Sequence, residues 1–127
     1  MIYIMDIPEI ARKRSHILDT FDNPKVLLGE ITPQEIYEMA IRSRADLWTV
    51  PEGTGYMLGY IRGESYTVQN CVGDFKWSPD QWRKAMGMVE DNAKSLGLTE
   101  VYIQGRLGWS RLFPDYDKVQ VKLKRTL

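Results

Sequence analysis

Apolar residues recur at helical spacing near the start of the chain. Ile10, Ile17, Leu18 and Phe21 share one face of a helix beginning near Pro8, and Arg12, Lys13, Arg14 and Asp19 occupy the other. Asp22, Asn23 and Pro24 stop it. Thr32, Pro33 and Glu35 announce a second helix, a Thr-x-x-Glu box with proline in the first turn. Its stripe of Ile36, Tyr37, Ala40 and Ile41 carries it to about Arg44. The pattern then shortens to three strands: Asp46 to Val50, Tyr56 to Arg62 and Tyr66 to Val72. Pro51-Glu52-Gly53-Thr54-Gly55 and Gly63-Glu64-Ser65 part them with turn chemistry, which predicts an antiparallel meander.

A third helix has the fullest set of signals. Ser78 is placed to cap it, Pro79 suits its first turn, Gln81 completes a Ser-x-x-Gln box and Gly97 terminates it. Trp82, Ala85, Met86, Val89, Ala93 and Leu96 line one side, a pattern of core rather than of a ligand box. A strand from Val101 to Arg106, a short segment from Trp109 to Phe113 and an alternating strand from Val119 to Leu123 end the chain. The expected core includes Trp82, Val89, Tyr102, Ile103, Val119 and Val121. The fold class is α+β: a single mixed, mostly antiparallel sheet with flanking helices, expected to form one domain over residues 1–127.

Composition narrows the function classes. Lysine plus arginine equals aspartate plus glutamate at 17 each, so no overall field draws the chain to nucleic acid or an anionic membrane. The basic run Arg12-Lys13-Arg14 and the tail of Lys118, Lys122, Lys124 and Arg125 read as solvated faces. Cys71 is the only cysteine, which excludes an internal disulfide and any multi-cysteine metal site. Met1 to Asp6 lacks the basic start of a secretory leader, and no apolar run approaches the ~18 residues of a membrane span. A cytosolic protein is expected.

The order of elements is similar to the GNAT (acyl-CoA N-acyltransferase) fold over nearly the whole chain. Gly105-Arg106-Leu107-Gly108-Trp109-Ser110-Arg111-Leu112, followed by Phe113-Pro114-Asp115-Tyr116, looks like the Gly-Arg-x-Gly-Trp segment of small GNAT-like proteins of tailed phages and prophages. Leu28 to Ala45 and Leu47 to Val50 resemble that family's helix and Leu-Trp strand, and Tyr116 matches an aromatic that packs onto the sheet. The resemblance implies a coenzyme A pyrophosphate held on backbone amides at the start of the long helix, through a Gln/Arg-x-x-Gly-x-Gly/Ala loop.

The equivalent stretch here runs from Val72 to Asp80. Gly73, Lys76 and the amides of Ser78 and Asp80 are its cofactor-binding positions if acetyl-CoA binds. Asp74 and Asp80 put negative charge where the pyrophosphate would sit, and Phe75 and Trp77 crowd a path that glycine normally leaves open. The expectation is a degenerate site with no cofactor. Such a protein would act by contact with another protein, in the virion or against a host factor, in the host cytoplasm. The alternative is an active acetyl-CoA-dependent N-acetyltransferase, and a nucleic-acid accessory using the basic tail is a third reading.

No catalytic residue is assigned. Trp109, Ser110 and Arg111 stand where the resemblance implies a proton-donating tyrosine, and Tyr116 lies too close to the last strand to inherit that role. Glu64 and Asp74 near strand ends are candidate bases, though turn carboxylates are commonly solvated. Cys71 reads as a small thiol packed in the sheet. His16, the only histidine, argues against a histidine triad or a metal cluster. Trp77 and Phe75 flank a helix start, which makes them candidates for contact with a partner. Arg106 is expected to pair with a carboxylate or cover a ring, and Trp109 to brace the sheet end.

Overall fold

The computed structural model describes residues 1–22, 31–51, 54–73, 75, 77–104, 112–119 and 122–127, with the side chains of residue 70 and residues 117–124 left aside. Two compact units divide the chain, Met1–Tyr60 with Asn70–Phe75 and Ile61–Gln69 with Lys76–Leu127. The elements are β1 (Tyr3–Ile4), α1 (Ile7–Arg12), α2 (Arg14–Phe21), α3 (Pro33–Ile41), β2 (Asp46–Thr49), β3 (Gly55–Arg62), β4 (Ser65–Gly73), α4 (Pro79–Ser95), β5 (Glu100–Gln104), β6 (Asp117–Val119) and β7 (Lys122–Thr126). The strands form one open, mixed, mostly antiparallel sheet in the order β1-β2-β3-β4-β5-β7-β6, with helices flanking it.

In the first unit the helical stretch expected as one piece is two helices. Asp6 caps α1 by accepting from the Glu9 amide at 2.9 Å. Lys13, at φ −97° and ψ 16°, ends α1 and starts α2. The apolar spacing carries straight through the break, because a one-residue change of backbone angle leaves the buried positions Ile10, Ile17 and Phe21 facing the same core. That core also holds Met5, Ile36, Tyr37, Ala40, Leu47, Tyr56, Leu58 and Val72. Thr32 caps α3 as its sequence implies, accepting from the Glu35 amide at 3.1 Å. The helix closes at Ile41 rather than Arg44, where Ser43 takes a φ of 58° and the Arg44 amide bonds back to the Met39 carbonyl at 2.8 Å. β2 pairs antiparallel with both β1 and β3, in a register that sets Trp48 opposite Ile4 and Met57.

In the second unit Ser65–Gln69 of β4 runs parallel to β5, with Val68 opposite Ile103. A parallel pair cannot be closed by a tight turn, so the chain crosses over through α4. Ala85, Met86, Val89 and Ala93 of its stripe are buried. Two members of the expected stripe differ: Trp82 is half-buried and Leu96 is 52% exposed. Leu96 is the C-cap, and past it Gly97 takes a φ of 76°. The Leu98 amide reaches the Ala93 carbonyl at 3.0 Å and the Gly97 amide reaches Lys94 at 3.0 Å. Val89 and Ile103 are buried as expected, Tyr102 is half-buried, and the side chains of Val119 and Val121 lie outside the described residues.

Two paired strands stand where a single closing strand was expected. β6 and β7 pair antiparallel with Val119 opposite Lys122, and β7 also lies antiparallel to β5 with Leu123 opposite Ile103. Alternation over five residues does not show where a strand turns back, and this stretch carries no glycine or proline to mark it. The described part of β5 ends at Gln104, so Arg106, Trp109 and the segment between them lie outside the described residues.

The buried stripe sets a contrast for mutation. Met86→Ala should cost about 2–4 kcal/mol of stability. Leu96→Ala should stay within about 0.5 kcal/mol, as exposed positions do. Urea denaturation of both variants checks this, and equal losses would contradict the burial.

Candidate functional site

The positions singled out for cofactor binding fall in both units, and each part is built locally. In the first unit, β3 begins and β4 ends in close contact. The Thr49 hydroxyl donates to the Gly55 carbonyl at 2.8 Å from a fully enclosed position. The Phe75 ring lies against Gly55, where a Cβ would overlap the ring. Gly73 has a φ of 105°, and a Cβ there would run into the Thr54 carbonyl and come within 2.6 Å of the Gly55 Cα. The glycine that the sequence offers as a ligand cradle is thus already required by its own strands. Phe75 is half-buried, with its ring against Gly55.

In the second unit the start of α4 brings its own cap. The Ser78 hydroxyl accepts from the Gln81 amide at 3.3 Å, and the Gln81 side chain accepts from the Ser78 amide at 2.8 Å. Pro79 has no amide proton, so of the first four positions only the Asp80 amide stands outside this reciprocal pair. The Asp80 carboxylate, directed to solvent, pairs with Arg83 one turn on at 3.0 Å. Arg83 also donates to the Leu112 carbonyl at 3.3 Å. Trp77 and Trp82 meet edge to face with ring centres 4.8 Å apart, both half-buried. Lys76 and Asp74 lie outside the described residues.

Tyr116 sits in a cluster that its sequence position alone does not disclose. Its ring is buried against Phe113, centres 5.6 Å apart, and its hydroxyl donates to Glu90 at 2.8 Å. Arg125 forms an ion pair with the other Glu90 oxygen at 3.6 Å and covers the Tyr116 ring at 5.8 Å. Burial holds the phenol well above the usual tyrosine range, the Glu90 hydrogen bond and charge add to this, and Arg125 partly offsets it. Arg125 therefore belongs to a packed cluster rather than to a solvated tail. The one signal in the sequence is that Glu90 stands four residues after buried Met86 and next to Val89, a carboxylate at the border of an apolar stripe.

The remaining candidates take ordinary places. The Glu64 carbonyl accepts from the Thr99 amide at 2.9 Å, in the exposed turn after β3. Cys71 is half-buried within β4, and burial pushes its thiol up to about 12. His16 is exposed on α2, with its Nδ1 on the hydroxyl of Tyr56. Among the described residues no group of three histidine, cysteine, aspartate or glutamate side chains is placed to hold a metal ion. No helix of the described residues is long and apolar enough to cross a membrane.

Solved structures share this arrangement of strands and helices from end to end. An aminoglycoside 6'-acetyltransferase type Ii superposes with a TM-score of 0.70, covering 99% of this chain and 96% of that one at 12% identity. The fold is that of the GNAT acetyltransferases. Ard1 from Thermoplasma volcanium matches at a TM-score of 0.68 over 100% of this chain and 97% of its own, with 11% identity. The PaiA N-acetyltransferase of Thermoplasma acidophilum, solved in complex with coenzyme A, matches at 0.60 over 100% and 99%, again with 11% identity. At such identities the GNAT likeness is one of fold, and fold does not fix activity. No family model and no curated protein matches the sequence.

Two measurements probe these placements. Gly73→Ala should lose more than about 2 kcal/mol in urea denaturation, since an added methyl meets both strained backbone angles and a carbonyl. A loss no larger than that of Gly97→Ala, where a Cβ would meet nothing within 4 Å, would show the strand approach to be loose. Cys71, with its thiol at about 12 against an ordinary 9.0, should be alkylated by iodoacetamide at pH 8 at least roughly tenfold more slowly than in denaturant, and equal rates would contradict its placement.

Proposed function

We propose that this GNAT-fold protein acts by contact with another protein and not by acetyl transfer, its coenzyme A position having been taken over by contacts of the fold itself. The observation that carries the reading is the Ser78–Gln81 box. A pyrophosphate caps a helix by accepting from its first amides, and here side chains already accept from two of them while Pro79 supplies none. The residues present do not fit the group: the carboxylate of Asp80 adds repulsion, and Gly73 is committed to Thr54 and Gly55. The resemblance of residues 105–112 to proteins of tailed phages and prophages makes a virion component or a host factor the expected partner.

An acetyl-CoA-dependent N-acetyltransferase is the second reading. It is favoured by fold neighbours such as the PaiA enzyme, which carries coenzyme A. In that case Gly73, Lys76 and the amides of Ser78 and Asp80 would hold the cofactor.

Calorimetry with acetyl-CoA separates the two. The expected result is no saturable heat below millimolar ligand. Micromolar binding would reverse the ranking, and it would appear independently as a stabilisation of about 2.7 kcal/mol at a hundredfold excess over the dissociation constant.

A further inference from the structure

We draw no further inference here: the strongest candidate, the outer edge of β1 with the exposed side chains of Ile4 and Ile7, carries nothing, because nothing in the structure shows what covers it.

Discussion

Two strands that run parallel cannot be joined by a turn, and the pairing of Ser65–Gln69 with β5 therefore obliges the chain to leave the sheet, cross it and return. Much of the second unit answers that requirement. α4 has to start soon after β4 and stop just before β5, and both of its ends are closed by local chemistry: the serine–glutamine box at one end and the glycine reversal at the other. Between them, Ala85, Met86, Val89 and Ala93 present a flat face with small residues at two of four positions, which lets the helix lie close on the strand it serves. Glu90, at the margin of that face, collects Tyr116 and Arg125, so the segment before β6 and the last strand are fastened to the same helix.

The same obligation explains the tension at the candidate site. In this fold the crossover helix is also the natural place for an anion, because its first amides have no intrahelical partners. A helix start satisfied by a ligand depends on that ligand for part of its stability. A helix start satisfied by Ser78 and Gln81 does not, and the two arrangements compete for the same donors. The aromatics that follow β4 have also found partners at home, Phe75 on Gly55 and Trp77 on Trp82.

The helices and the meander were legible in the sequence because each carried two agreeing signals, a periodic stripe and a capping or turn residue. Thr32 and Ser78 cap where their spacing predicts, and Asp46, Arg62 and Gly73 lie within a residue of expected strand ends. What escaped were features with only one signal or none. The break at Lys13 leaves the apolar spacing intact, the residues between β6 and β7 include no glycine or proline, and the exposure of Trp82 and Leu96 is not marked in the stripe to which they belong. At the site, the charge and bulk of Asp80 and Phe75 were visible, and Arg83 lies within helical reach of Asp80 in the sequence; the contact of Phe75 with Gly55, twenty residues away, leaves no periodic trace. Gly105 to Arg111, which carry the phage-type resemblance, lie outside the described residues.

Gly55 and Phe75 hold one another in place, and this bears on how the chain can change over time. While the ring stays, position 55 tolerates no side chain; once the ring is trimmed, the reason for glycine there disappears and a void takes its place. Neither step is easily taken first. The two positions should therefore be inherited as a unit, with relatives keeping both residues or neither. A lineage that reopened the end of β4 to a ligand would have to pass through an intermediate less stable than either end point.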